Sequence, residues 1–394
     1  MIPLQHPRII RITTVPISLL LLLKGQMKYM KHHGFEVIMI SSPGPEAEKV
    51  EDQEGCEMIT IPMKRTVHLL EDIKSLYRLY LMLKKLKPDI VHTHTPKAGL
   101  LGMLAATFAG VPVRMHTIAG IPWMENKGLS RYILKQVERI TAFAAHAIYP
   151  NSKGLMEFME KENIVFRKRK MKMIGHGTSN GIDLSYYQRS EVPEGVIRNL
   201  KIKSEHSADG FIWIFIGRLV SDKGIKELVD AFCQLQLQFP DDQLWLVGEE
   251  EEKRDPLPIA TRDLMHQHNS IIQWGFQKDV RPYLAAASAL VFPSYREGFP
   301  NVPLQAAAME CPMILSDING CNEIVSHGIN GLLVPPKNTT ALYDAMRSFR
   351  TNISERTKMA TRSREHIAAH FSRDVIWQLL ESEYRMMLSQ REKS

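Results

Sequence analysis

Arg218 and Lys223 stand five residues apart in Gly217-Arg-Leu-Val-Ser-Asp-Lys-Gly224, directly after the apolar run Phe211–Ile216. That run has the length and character of a buried strand, so both cations sit where the chain leaves a sheet. A forked guanidinium and a flexible ammonium there can hold a diphosphate without a metal, because they supply the neutralising charge themselves. The other reading is a helix-capping loop with surface cations. A second loop of this kind lies within Phe292–Glu323. Ala289–Phe292 is apolar and of strand length, Pro293-Ser294 stop it, and from Val302 the spacing of Leu304, Ala307 and Ala308 turns helical. Glu297, Gly298, Phe299 and Asn301 therefore fall between a strand and a helix. Unpaired N–H groups and the partial positive charge of a helix start suit a phosphate or a polarised sugar. A Glu beside a Gly is equally the ordinary dressing of such a helix start. His116 closes the strand Val113–His116 before a Gly-containing loop, Thr117–Pro122. It can exchange one hydrogen bond with a sugar hydroxyl, or sit as a buried capping histidine. His94 is a weaker case of the same kind, and Asn180-Gly-Ile-Asp183 reads as a hinge or a turn.

These loops need strands to hold them. Runs at 8–13, 35–40, 56–61, 90–94, 113–116 and 147–149 read as strands, with helices at 19–33, 69–86, through Gly99 to Ala109, and 130–146. Gly34 and Lys87-Pro88 are good helix stops. After a basic run, Phe166–Met173, and a polar stretch, Ser190–Asp209, a second series begins. Its strands are 211–216, 244–247, 270–274, 289–292, 313–315 and 331–334, with a helix over 225–239, a solvated acidic loop at Glu249–Glu252 and a helical C-terminus that includes Trp377, Leu380 and Tyr384. Strands alternating with helices mean parallel sheets covered on both faces. The expected fold is α/β: two doubly wound, Rossmann-like domains facing across a cleft. They span 1–188 and 189–372, with a helix at 373–394 packing back toward the first domain.

Composition excludes several classes. The 394 residues are 44% hydrophobic and 24% charged, as in a soluble globular protein. The most apolar run, Ile17–Leu23, is far shorter than the ~20 residues of a spanning helix and lacks signal-peptide flanks. Cys56, Cys233, Cys311 and Cys321 show no metal spacing and fit reduced cytoplasmic thiols. Residues 1–190 hold 27 Lys and Arg against 16 Asp and Glu, while the remainder holds 23 against 27. The basic half suits an anionic membrane face; no basic–aromatic interleaving supports nucleic acid. GxGxxG is missing after the first strand, and GxxxxGK[ST] is missing throughout, which excludes a dinucleotide enzyme and a P-loop kinase.

Taken in order, HTHTPKAGLLG, HTIAG, NGID, GRLVSDKG, FPSYREGFPN and NGLLVPP resemble the family 4 glycosyltransferases of the GT-B fold over nearly the whole chain. The HTPKAGLLG and REGFPNV wording is similar to bacterial enzymes that build capsular or other surface polysaccharides on lipid carriers. The resemblance implies a retaining hexosyl- or N-acetylhexosaminyl-transferase. It would use a nucleotide-diphosphate sugar, with a UDP-sugar expected, and neither metal nor cofactor. Its acceptor would be a polyprenyl-diphosphate-linked saccharide at the inner face of the plasma membrane, reached by peripheral attachment. By position, Arg218 and Lys223 would hold the donor diphosphate after Gly217. Glu297 would contact the donor sugar, and the amides of Gly298, Phe299 and Asn301 would line it. His116 would hydrogen-bond the transferring sugar. One position departs from the family: Gln305 stands where a second Glu usually binds ribose, and an amide offers one acceptor where a carboxylate offers two. A non-hydrolysing sugar-nucleotide epimerase and a non-catalytic binding partner are the competing readings.

Overall fold

The computed structural model describes residues 6–64, 66, 68–121, 128–165, 170–251 and 255–392. Phe166–Arg169 of the basic run, Pro122 and Glu252 lie outside them. The chain divides into two compact units, 1–181 with 374–394, and 182–373.

The first unit is a six-stranded sheet in the order β3-β2-β1-β4-β5-β6. Its strands are β1 (Arg8–Ile12), β2 (Glu36–Ser41), β3 (Glu57–Thr60), β4 (Ile90–His94), β5 (Val113–Ile118) and β6 (Ala147–Pro150), all paired in parallel. Alternate residues of each strand serve opposite faces. Ile10 and Ile12 pack with α4 (Leu69–Leu86), α5 (Pro96–Ala109), α6 (Gly128–Ala144) and α7 (Lys153–Lys161). Ile9 packs on the other face with α1 (Pro16–Leu22), α2 (Gln26–His32), the region of α3 (Ala47–Glu54) and the C-terminal helix α16 (Arg373–Glu392). Arg11 shares that second face. It is buried, donates to the Tyr384 hydroxyl and to Gln26, and lies 2.6 Å from His92 Nδ1. Trp377 Nε1 donates to Asn180 Oδ1 at 2.7 Å, a second tie on α16.

The second unit repeats the plan in the order β12-β11-β10-β7-β8-β9, again parallel. The strands are β7 (Ile212–Ile216), β8 (Gln243–Val247), β9 (Ile271–Gly275), β10 (Ala289–Phe292), β11 (Met313–Ser316) and β12 (Leu332–Val334). Every residue of β7 is buried, as its unbroken apolar run requires of a strand covered on both sides. Its helices are α8 (Glu194–Lys203), α9 (Ile225–Gln236), α10 (Ile259–Gln267), α11 (Arg281–Ala286), α12 (Asn301–Ala308), α13 (Cys321–Ile324), α14 (Thr339–Thr351) and α15 (Ile353–His370).

All twelve expected strands are present, within a residue or two at their ends. The differences have local causes. The single helix expected over 19–33 is two, because Gly25 turns left-handed (φ 84°) and its N–H goes to Glu54 Oε1 at 2.6 Å. The polar stretch 190–209 contains α8, a helix with one buried residue, Ile197, too weakly amphipathic to stand out. Leu184 and Tyr187, counted with the first domain, pack on the core of the second unit. In Asn180-Gly-Ile-Asp183 the chain passes from one unit to the next. Asn180 is anchored by Gln26 and Trp377, and Asp183 by Arg373 at 2.9 Å.

Candidate functional site

Where a doubly wound sheet reverses its strand order, the loops leaving two neighbouring strands diverge and open a crevice at their carboxyl ends. In the second unit this point lies between β7 and β10. The two loops there are Gly217–Gly224 and the segment from Pro293 to Pro300, which the sequence singled out separately. The backbone joins them: Tyr295 N donates to the Asp222 carbonyl at 2.8 Å, while Arg296 Nε and NH2 reach Asp222 Oδ2 at 3.1 and 3.0 Å. Gly224 ends the first loop in the left-handed region (φ 69°), and a Cβ there would meet the Pro293 carbonyl carbon at 2.9 Å. Only glycine permits both.

At the loop tips Lys223 Nζ lies 2.5 Å from Glu297 Oε1, with side chains only 14% and 16% exposed. Asn319 Nδ2 donates to the carbonyls of Glu297 and Gly298 at 3.0 and 2.9 Å. In a trans peptide the carbonyl and the next N–H point opposite ways. The amides of Gly298 and Phe299 are therefore turned away from Asn319. α12 follows with no side-chain cap and no acidic residue in its first turn, so its leading N–H groups keep their positive end unneutralised. Asn319 was not foreseen; its only signal was an Ile-Asn-Gly turn after β11.

Arg218, Phe299 and Gln305 belong to the same unit as this pair. Arg218 follows β7 but turns outward, with its side chain 57% exposed, and pairs with Glu251. The acidic loop expected to be solvated thus supplies an ion-pair partner, and Glu250 lies 3.1 Å from His266 Nε2. The Phe299 ring packs on Phe371, centroids 5.3 Å apart, so that residue offers its backbone. Gln305 Nε2 donates to the Tyr187 hydroxyl at 2.9 Å, leaving Oε1 as the amide's acceptor.

The first unit reverses between β1 and β4. There Thr14 and Thr95 share a hydroxyl contact of 2.7 Å, and Thr95 carries φ 72°, a strained value for a residue with a Cβ. Beside them is a cavity of about 120 Å³ whose lining includes Thr13, His94, Thr95, His116, Glu138 and Ser179. His116 is buried on β5, with Nδ1 2.7 Å from Thr93 Oγ1 and 3.2 Å from the Thr93 carbonyl. A carbonyl can only accept, so a ring keeping that contact has its proton on Nδ1 and a lone pair on Nε2. Burial pushes its pKa down to about 4, so the ring is neutral at pH 7. Gly99 of α5 permits this placement: a Cβ there would meet Nε2 at 2.9 Å. Burial, and then the Arg11 charge, holds His94 well below the usual histidine range.

Glu138 on α6 was missed as a candidate. It is 4% exposed, and burial pushes its carboxyl up to about 7. The sequence did hold a signal: Thr141, Ala142 and Ala145 follow at helical spacing, so Glu138 shares the small-residue face of its helix. Among the described residues no group of three or more His, Cys, Asp or Glu side chains could hold a metal ion.

Comparison with known proteins bears on both units. A family model described as glycosyl transferases group 1 matches residues 210–352, and one described as glycosyl transferase 4-like matches residues 18–152. The chain is similar to the capsular polysaccharide biosynthesis glycosyltransferase CapM of Staphylococcus aureus, 29% identical over 99% of this chain and 100% of the relative. It is 27% identical to the UDP-Gal:alpha-D-GlcNAc-diphosphoundecaprenol alpha-1,3-galactosyltransferase of Escherichia coli, over 82% of this chain and 81% of that one. The crystal structure of a glycosyltransferase from Rickettsia africae superposes with a TM-score of 0.82 at 19% identity, covering 97% of this chain and 99% of that chain.

Proposed function

The chain belongs to the glycosyltransferases whose group 1 and 4-like domains it carries, and from that premise we propose that it extends a lipid-diphosphate-linked saccharide in capsular or surface polysaccharide synthesis. The donor is a nucleotide-diphosphate sugar, read as a UDP-sugar, and the reaction retains the anomeric configuration. Whole-length likeness to the Staphylococcus capsular enzyme supports the pathway class, and the acceptor and donor in the Escherichia coli relative's name support the substrates.

The observation that carries the reading is the Lys223–Glu297 contact at the strand-order reversal. A cation suited to a diphosphate and an acceptor suited to a sugar hydroxyl meet there in front of an uncapped helix start, which supports the reading. Lys223 stabilises the charge that grows on the diphosphate as its bond to the anomeric carbon breaks. Arg218, on an exposed and flexible stem, swings from Glu251 to the same diphosphate. The glycosidic electron pair leaves on that diphosphate, the acceptor oxygen bonds the anomeric carbon from the same face, and the acceptor's proton passes to the departing phosphate oxygen. Glu297 and the Gly298 and Phe299 amides orient the sugar, Gln305 Oε1 takes one ribose hydroxyl, and in the first unit His116 Nε2 accepts from a sugar hydroxyl.

Peripheral attachment to an anionic membrane face belongs to the same proposal. No described helix is long and apolar enough to cross a membrane. α4 exposes Leu69, Leu70, Ile73 and Tyr77, and α6 exposes Leu129 and Tyr132, on the unit that holds the excess of cations.

The test is incubation with a panel of UDP-, GDP- and ADP-sugars and an undecaprenyl-diphosphate-linked saccharide. Product mass reports transfer, and NMR reports the anomeric configuration. Transfer with retention is expected. Epimerised nucleotide sugar formed without acceptor, or no transfer from any donor, would overturn the reading.

A further inference from the structure

The cavity of the first unit holds more unsatisfied polar chemistry than packing accounts for. His94 Nε2 is buried without a hydrogen-bond partner, and so is the Ser179 hydroxyl. Both line the cavity of about 120 Å³ that Glu138 and His116 also line. Glu138 makes no hydrogen bond or ion pair with any described residue, although it is 4% exposed. A buried polar group left alone costs stability, and a cavity that gathers several of them is built to receive polar atoms from elsewhere.

The chemistry of the lining narrows what those atoms are. Among the described residues no lysine or arginine lines the cavity, and the titratable groups of its described lining are His94 on β4, His116 on β5 and Glu138 itself. The cations of α6 face elsewhere: Arg131 and Lys135 pair with Glu162, and Arg139 donates to the Asn163 carbonyl. Lys97 of α5 is held by Asp72, and Arg11 lies by His92. A phosphate would meet no neutralising charge from these described residues. Neutral hydroxyls would meet a carboxyl, two imidazoles and the hydroxyls of Thr13 and Ser179. The volume admits the hydroxyl-bearing edge of one sugar ring.

We propose that this cavity is a saccharide-hydroxyl subsite in which Glu138 exchanges hydrogen bonds with a substrate sugar, assisted by His94 and Ser179. The assignment rests on the glycosyltransferase reading and adds a specificity-determining residue to it. Burial raises the Glu138 carboxyl to about 7, so its ionisation changes that carboxyl from a donor and acceptor to an acceptor alone. Sugar selection is then pH-dependent. The hydroxyl comes from either the donor sugar or the acceptor saccharide, and kinetics tell them apart.

Steady-state rates are measured for the wild type, Glu138→Gln and Ser179→Ala across pH 5.5–8.5, varying donor and acceptor separately. Donor hydrolysis without acceptor and nucleoside diphosphate binding are measured on the same preparations. Glu138→Gln is expected to lose about tenfold in kcat/KM for one sugar substrate, the worth of one charged hydrogen bond. It is also expected to lose the ionisation near neutrality, with nucleoside diphosphate binding unchanged. A KM effect confined to the acceptor assigns the hydroxyl to the acceptor, and an effect on donor KM and hydrolysis assigns it to the donor. Ser179→Ala keeps the claim testable if the Gln variant folds poorly, because that hydroxyl has no partner to lose; its kcat/KM is expected to fall severalfold. Wild-type pH profiles and KM values in folded variants would overturn the subsite and leave the transferase reading standing. Absence of transfer by the wild type would overturn both.

Discussion

Replacing Lys223 by Met tests the join between the loops that follow β7 and β10. Removing one partner of a fully buried ion pair costs about 3–5 kcal/mol, and exposed pairs are worth about 0–1 kcal/mol. At 14% and 16% exposure this pair lies between those limits, so the loss is placed at about 2 kcal/mol. In a unit of this size that lowers the melting temperature by about 4–8 °C. Lys223→Met/Glu297→Gln removes both charges and should recover most of the loss, giving a coupling energy of about 1–2 kcal/mol in a double-mutant cycle. Activity must behave differently. Lys223→Met should reduce donor turnover strongly, and the double variant should remain inactive although its stability returns. Scanning calorimetry beside a transfer assay on the four proteins separates the two effects. A single variant that melts with the wild type would show that Lys223 and Glu297 do not meet. Recovered activity in the double variant would show that their only role is to neutralise each other.

Arg218→Ala should leave the melt unchanged, because its pair with Glu251 is exposed. It should raise the donor dissociation constant about tenfold to a hundredfold, read by titration calorimetry. Gln305→Glu should fold normally, since the Tyr187 hydroxyl can donate to a carboxylate in place of accepting from the amide. Nucleoside diphosphate binding in that variant should be equal or tighter, and a loss beyond tenfold would remove Gln305 from the ribose. His116 falls from 6.5 to about 4 on folding, so its contribution is present above pH 6.5 and is lost as pH falls through 4. Glu138 rises from 4.5 to about 7, so its contribution is present below 4.5 and is lost as pH rises through 7. Glu138→Gln should therefore gain stability over the wild type between pH 5 and pH 8, by up to about 3 kcal/mol, in denaturant titrations; a constant difference would refute the burial of a lone carboxyl.

Much of the fold was legible because parallel strands covered on both faces announce themselves as unbroken apolar runs. IWIFI of β7 and ALVF of β10 are of this kind, and every residue in them is buried. The second unit's helices were harder. α8 buries one residue of ten, and α10 only Thr261 and Met265, so neither shows a strong apolar stripe. The split at Gly25 was hidden for another reason. A glycine inside a helical pattern is tolerated or breaks it according to tertiary partners, here Glu54 and the Trp377 ring, and the latter lies far along the chain.

Lys223 and Glu297 were visible one loop at a time, but their meeting was not. Lys223 and Glu297 are 74 positions apart, and nothing in either loop names the other. What joins them is the insertion of β10 beside β7, while β8 and β9 extend the sheet on the other side. Adding β10 beyond β9 would separate the same two loops by the width of three strands, about 14 Å at the usual spacing of neighbours. An ammonium–carboxylate contact would then be out of reach. Local sequence supplies the groups, and strand order supplies the distance. Glu138 fails the first condition instead: a carboxylate among Arg131, Lys135 and Arg139 reads as one more surface charge. Only the rotation of α6, which turns Thr141 and Ala142 inward with it, puts that carboxyl in the cavity rather than in water.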